Sequence, residues 1–252
     1  TIDNWKAFVH ANARTSRVNI LASTFFQSTV RLLLQSDVPP ARIQQYALHA
    51  ARTIEALHPV FIYLPSADVA AALQEICRHR RKMWEQYVIQ VIDSSLYSKH
   101  RNLHGFEGTV RFFQDYQQLT NTLFSRLSMR KITCEDAKRQ WAVCRQRLCQ
   151  FLDVRHIPDP VVAPNDMVRY SGRYRDESTR LELRVYAHQQ QLVVCDLLWP
   201  KSRLIPKGQN CFDVEACTID ITFNETSDGV IQSMTIGGSR GWKFYGRTLT
   251  KA

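Results

Sequence analysis

The chain has 252 residues, 44% hydrophobic and 22% charged, enough for one large or two modest domains with real cores. No apolar run approaches the roughly 20 residues that span a bilayer, and no charged-then-apolar signal segment opens the chain, so the expected setting is the cytoplasm, away from membranes. The formal charge of +10 is uneven, with 21 Lys+Arg against 12 Asp+Glu before Pro158 and 12 against 11 from there onward, so any anionic partner is expected at the first part.

Taken from the N-terminus, "NWKAFVHANART" is amphipathic, with Trp5, Phe8, Val9 and Asn12 on one side. "VNILAS" (18–23) is a short apolar run and predicts a buried strand. "FFQSTVRLLLQS" has helical spacing. "DVPPARIQQYALHAARTIEALH" opens on helix-start signals and carries an apolar stripe through Ile43, Tyr46, Ala47, Ala50, Ile54 and Leu57. "VFIYLPSAD" reads as a strand and turn, followed by a helix that ends in clustered arginines. Further helices are expected in "KMWEQYVIQVIDSSLY" and "FEGTVRFFQDYQQLTNTLFSRL", joined by the loop "SKHRNLHG". "RKITCED" predicts one more short strand before the helix "AKRQWAVCRQRLCQFLDV". Strands separated by helices imply an α/β domain with a parallel sheet and helices on both faces, over residues 1–157.

A proline-bearing linker, 158–168, precedes a change of period to two. "RLELRVYAHQQQLVVCDLL", "NCFDVEA", "TIDITFNE", "GVIQSMTIGG" and "WKFYGRTLTK" alternate apolar and polar residues between turn signals. Residues 169–252 therefore predict a small antiparallel sheet or barrel. Trp199, Trp242, Phe244 and Tyr245 would fill its core, line a ligand cavity or contact the acceptor site. "LLWPKSRLIPKG" would project Lys201, Arg203 and Lys207 toward the cleft of the first part and so make this part a contributor to specificity.

Seven cysteines, Cys77, Cys134, Cys144, Cys149, Cys195, Cys211 and Cys217, show neither CxxC pairs nor finger-like spacing with histidine. They read as free buried thiols in a reducing compartment rather than a zinc site, and no metal ligands are expected. No GxSxG, HExxH or GxxxxGK[ST] occurs.

In an open parallel sheet, ligands bind beyond the carboxyl ends of the strands. Ser23, Thr24 and Gln27 would then stand at one lip of a cleft, and Ser66 and Asp68 at another. Ser23 and Asp68 fit equally well as helix caps. Arg78, Arg80, Arg81 and Lys82 place four cations in five positions. Such a cluster either complements a helix C-terminus or holds a phosphate through charge-assisted hydrogen bonds. The stretch 98–106, with Lys99, Arg101 and Phe106, reads as a lid over substrate or as a solvated helix connection. The basic residues do not alternate with aromatics, which argues against a single-stranded nucleic-acid platform.

"HPVFIYLPSADVAAALQEICRHRR", with "NILASTFFQSTVRLLLQSDVPP" upstream and "KITCEDAKRQWAVCRQRLCQFL" downstream, resembles the latter two-thirds of a P-loop kinase. It is similar to the thymidylate-kinase-like group and to uncharacterised bacterial P-loop proteins. The C-terminal part, with "YSGRYR", "RLIPKGQNCF" and "ITFNETSDGVIQSMTI", resembles small lipocalin-like domains attached to bacterial enzymes. The resemblance implies phosphoryl transfer from ATP or GTP, with Mg2+, to a hydroxyl of a small molecule, an antibiotic being one such acceptor. It implies that Arg78, Arg80 and Arg81 stabilise the transferring phosphoryl, and that Ser23, Thr24, Gln27, Lys99, Arg101 and Phe106 contact the acceptor. Glu135, Asp136 and Ala137 would lie near the nucleotide base. The phosphate-binding loop would lie before Thr1, and Ala22 stands where relatives often carry an acid. A protein of this kind that binds a nucleotide or small ligand without turnover is the rival expectation.

Overall fold

The computed structural model describes all residues except Arg81, Asp136, Lys138, Arg139, Leu198, Trp199, Ala216 and Trp242. The chain divides into two compact units, Thr1–His156 and Ile157–Ala252. The first holds helices and a small parallel sheet; the second is a closed antiparallel barrel.

In the first unit, α1 (Ile2–Asn12) is followed by a π-helical turn (Thr24–Val30) that runs into α2 (Arg31–Gln35). Helix α3 (Pro40–Ile54) begins on a proline whose missing N–H costs nothing in the first turn. Strand β1 (Val60–Tyr63) leads to α4 (Val69–His79), α5 (Lys82–Asp93), α6 (Leu96–Arg101) and α7 (Gly105–Arg126). Strand β2 (Arg130–Thr133) and α8 (Trp141–Leu152) complete the unit. The core joins Phe26, Val30, Ile43, Ile92, Phe112 and Leu123. Lys131 on β2 donates to the carbonyls of Phe124, Ser125 and Leu127 at 2.7, 2.9 and 2.6 Å. This single ammonium satisfies orphan acceptors at the end of α7 and complements its dipole.

Two sequence expectations change here. Residues 18–22 are not a strand, and Val18 and Ile20 are 88% and 89% exposed. Among the described residues the only hydrogen-bonded neighbour of β1 is β2, so the apolar run has no ladder to join. The stretch read as a lid loop is mostly helix. Ser95 caps α6 by accepting from the Ser98 N–H, and only Asn102 to His104 separate α6 from α7. Asn102 takes a left-handed conformation at φ 52°, a position an asparagine tolerates.

In the second unit, the segment read as a linker includes the start of α9 (Pro164–Tyr170). Strands β3 (Gly172–Asp176), β4 (Leu181–His188), β5 (Gln191–Cys195), β6 (Ser202–Gly208), β7 (Cys211–Val214), β8 (Ile219–Glu225), β9 (Ile231–Gly238) and β10 (Thr248–Lys251) follow. Each pairs antiparallel with its successor, and β10 returns to β3, so the barrel has no free sheet edge. Its interior is filled by Tyr174, Leu183, Phe212, Phe223, Met234 and Leu249 among others. Helix α9 adds Met167 and Tyr170 to that core, and the Tyr174 hydroxyl donates to the Tyr170 carbonyl at 2.7 Å. Arg169 pairs with Glu225 at 2.8 Å, and Tyr170 donates to Asn210 at 2.7 Å.

Phe223 packs edge-on to Tyr174 and Phe212 and is 2% exposed. Replacing Phe223 with alanine should cost about 3–5 kcal/mol. Urea denaturation of this variant measures that loss, and an unchanged midpoint would contradict the packing described.

Candidate functional site

The parallel register runs from Val60 opposite Arg130 to Tyr63 opposite Thr133, and the Cys134 N–H extends it to the Tyr63 carbonyl at 2.9 Å. Parallel strands deliver their following segments to one edge, so residues 64–68 and the described residues of 134–140 emerge side by side. Alternation turns Phe61 and Tyr63 toward the helices, while Val60, Ile62 and Leu64 are exposed.

Tyr63 anchors this edge. Its ring stacks on Phe124 at 5.1 Å and meets Phe26 edge-on at 5.6 Å. Its hydroxyl donates to Asn121 Oδ1 at 2.8 Å and lies 2.8 Å from Thr120 Oγ1. Burial pushes its pKa above the ordinary phenol value. Two residues after the adjoining Leu64, Ser66 is clamped by Gln117 of α7. The Ser66 N–H donates to Gln117 Oε1 at 3.1 Å, and Gln117 Nε2 donates to the Ser66 carbonyl at 2.8 Å. Gln117 escapes sequence reading because its partner lies 51 residues away.

Asp68 is a helix cap: its Oδ1 accepts from the Ala71 N–H at 3.0 Å. Helix α4 then carries the chain about 16 Å, 1.5 Å for each residue, to the cationic junction. Arg80 breaks the helix in an extended conformation, and its guanidinium lies 4.6 Å from the centre of the Trp84 ring. Burial lowers the pKa of Arg80. Arg78 is exposed in the last turn of α4, and Arg81 lies outside the described residues.

Ser23, at φ 63°, and Thr24 begin the π-helical turn. Thr24 Oγ1 donates to the Ala22 carbonyl at 3.1 Å, and the Ser23 side chain makes no cap bond. Gln27 is exposed, and its carbonyl accepts from Arg31 Nε at 3.0 Å. Phe25 and Phe26 pack on Phe61 at 5.6 and 4.8 Å, which holds this turn beside β1. On the other strand's connection, Glu135 is exposed and Ala137 half-buried; Asp136 lies outside the described residues.

Lys99, Arg101 and Phe106 belong to a different neighbourhood. Arg101 pairs with Asp37 at 2.6 Å and lies 3.8 Å from the centre of the Tyr97 ring. His100 reaches the same carboxylate at 2.7 Å. Lys99 is exposed on α6, and Phe106 is half-buried in the first turn of α7. A cleft of about 610 Å³ adjoins Arg101, lined also by Gln44, Tyr97, Arg111, Asp115 and Gln118 among others. Tyr97 donates to Asp115 at 2.6 Å and Arg111 to the same oxygen at 3.1 Å. Burial, then the bond to Asp115 and its charge, push the Tyr97 pKa up to about 12, so the hydroxyl stays a donor at neutral pH. On α7, Arg111, Asp115 and Gln118 share one helical face, whereas Gln117, Thr120 and Asn121 share another. The Ser66 segment and the Arg101 cleft thus rest on two different faces of α7 rather than on one.

Among the described residues, no group of three or more His, Cys, Asp or Glu could hold a metal ion, and no helix is long and apolar enough to cross a membrane. No protein-family model matches the chain, and a search of curated proteins finds no match.

Gln117→Ala should release the Ser66 segment at a cost of about 0.5–1.5 kcal/mol for each half-buried hydrogen bond lost. Faster amide exchange at Ser66 would register it; unchanged exchange would contradict the clamp. The Asp37 carboxyl is held below the ordinary range, first by the hydrogen bond to His100 and then by Arg101. A depressed folded pKa contributes stability that is present above the unfolded value, about 3.9, and lost as pH falls through the folded one. Acid titration of Asp37→Asn should therefore lack part of the stability loss that the parent chain shows below about pH 4. Identical acid profiles would contradict this.

Proposed function

We propose that the first unit binds a nucleoside triphosphate, ATP or GTP, and transfers its phosphoryl group to a hydroxyl of a small molecule, an antibiotic being one possible acceptor. The observation that carries this reading is the parallel register of β1 and β2, which brings the 64–68 and 134–140 connections to one edge. Ligands of open α/β sheets bind at such edges. The P-loop-kinase-like fold suggested by the sequence is part of the same proposal.

Phosphoryl transfer asks mainly for positioning and for stabilisation of charge on the moving group. Arg78, Arg80 and Arg81 would supply the charge, with Arg80 steadied on Trp84. Thr24 and Gln27, with Ser23, would hold the acceptor, and Glu135, Asp136 and Ala137 would border the base. Arg101 lines the cleft beside Tyr97, and Lys99, Arg101 and Phe106 would contact an acceptor only if it extends to that neighbourhood. Asp68 is engaged as a cap, and the described residues offer no cluster of metal ligands. Mg2+ would therefore be held mostly by the nucleotide phosphates and water, as is usual for this ion.

A second reading, binding without turnover, draws on the same cap and on Ala22 at the position where an acid would face the acceptor. The barrel would then serve recognition by its outer surface, because its interior is filled by side chains. Arg203 and Lys207 do not stand as free cations on it: Arg203 pairs with Asp159 and Glu215, and Lys207 with Asp213.

Trp84 offers a reporter. Adding MgATP or MgGTP to the complete gene product should change the fluorescence that Trp84→Phe removes. Arg80→Ala should weaken nucleotide binding about 10-fold or more, the loss of one charged hydrogen bond. Release of ADP or GDP in the presence of a hydroxylated acceptor supports transfer, and saturable binding without release supports the second reading. No fluorescence change and no heat at millimolar nucleotide would contradict both.

A further inference from the structure

The cleft of about 610 Å³ beside Tyr97 is bounded by α2, the start of α3, α6 with Leu103, and α7. That is the volume of a small-molecule site. Its lining has an apolar part, with Leu34, Tyr97 and Leu119 buried. Two arginines also line it, and each is held in place by the protein itself. Arg111 donates through Nε to Asp115 Oδ2 at 3.1 Å, an oxygen that also accepts from the Tyr97 hydroxyl at 2.6 Å. Arg101 donates through Nη1 to Asp37 and to the Tyr97 carbonyl, and its guanidinium lies 3.8 Å from the centre of the Tyr97 ring. Among the described residues, neither Nη of Arg111 and neither Nε nor Nη2 of Arg101 has a hydrogen-bond acceptor. The uncharged polar groups of the lining are partly committed as well. Arg126 donates to Gln44 Oε1 at 2.5 Å, which leaves Gln44 Nε2 as a donor. Thr122 donates to the Gln118 carbonyl at 3.0 Å, which leaves the Thr122 oxygen as an acceptor.

We propose that this cleft is a binding site for a small organic carboxylate with an apolar body and an amide, the chemistry of an N-acyl amino acid. A guanidinium matches a carboxylate in shape, two N–H groups meeting two oxygens. The spare donors sit on side chains that are already fixed, so little freedom is lost when they are used. The charge around the cleft is close to balanced, with Arg101 and Arg111 against Asp115 in the lining and Asp37 behind Arg101. No net field then offsets the desolvation of a dianion such as phosphate. A monoanion that also covers Leu34 and Leu119 with apolar surface gains from both contacts. The ligand amide completes the match, its carbonyl accepting from Gln44 Nε2 and its N–H donating to Thr122 Oγ1.

This site uses a different face of α7 from the one that carries the Gln117 clamp. The inference therefore stands whether or not the β1–β2 edge takes a nucleotide.

Titration of the full chain with N-acetylphenylalanine, followed by saturation-transfer NMR of the probe, tests the proposal. The expected result is saturable binding at millimolar probe or below. The uncharged N-acetylphenylalaninamide should bind about 10-fold or more weakly, since it forfeits a charged hydrogen bond. Arg111→Gln should weaken the acid by a similar factor. Gln118→Glu, at an exposed position of the lining, adds a negative charge without touching the core. It should weaken the acid and leave the amide unchanged, and it decides the matter if Arg111→Gln loosens the helices. No saturation at millimolar probe, equal affinity for acid and amide, or either folded variant binding the acid as the parent does would overturn the proposal. Displacement of the probe by an equal concentration of inorganic phosphate would overturn the assignment to a carboxylate.

Discussion

Tyr63 sits where three requirements of the first unit meet. As the last residue of β1 it must pair with β2, and its carbonyl accepts from the Cys134 N–H beyond the last register pair. As an aromatic it joins the cluster of Phe26, Phe61 and Phe124 that fastens the strands to α7 and to the π-helical turn. As a phenol it needs a partner once buried, and Thr120 and Asn121 of α7 supply it. Moving this side chain would disturb strand pairing, helix packing and the Ser66 segment together, because all three share α7 as their support.

Two four-residue strands make little sheet, and their stability must come from what covers them. Here the covering is one-sided: Phe61 and Tyr63 face helices, while Val60, Ile62 and Leu64 stay exposed. The side that is covered is also the side that organises the candidate edge. Lys131 extends the same logic to the second strand by capping α7 from β2. Position and chemistry therefore arise from one set of contacts. The barrel solves a different problem. Its closure removes sheet edges, and its large side chains leave the interior packed rather than hollow.

The sequence made the local features legible and left the long-range ones hidden. Period-two alternation marked the barrel because inward and outward residues differ in polarity on each strand. "VFIY" and "RKIT" were readable as strands from apolar runs beside turn signals, and the helix cap at Asp68 was among the readings of its position. "VNIL" carried the same apolar signal and is not a strand, since strand formation depends on a neighbour that a single run does not reveal. The stretch 98–106 looked like a loop because its cations and histidines mask the Ser95 cap and the Asn102 turn. For the candidate site, the edge itself could be inferred, yet the Gln117 clamp and the Arg80–Trp84 contact could not. Each depends on a side-chain contact set by how helices pack. Likewise the split between the Ser66 edge and the Arg101 cleft follows from which face of α7 a residue occupies.

The central claim is that the carboxyl edge of the parallel pair is a ligand site for nucleotide. Hydrogen-exchange mass spectrometry of the complete gene product, with and without MgATP or MgGTP, tests it most directly. The account predicts slowed exchange in peptides covering 64–68, 78–84 and 134–140, with the barrel strands unchanged. Protection confined to the barrel, or to the Tyr97–Arg111 cleft with the edge peptides unaltered, would contradict it.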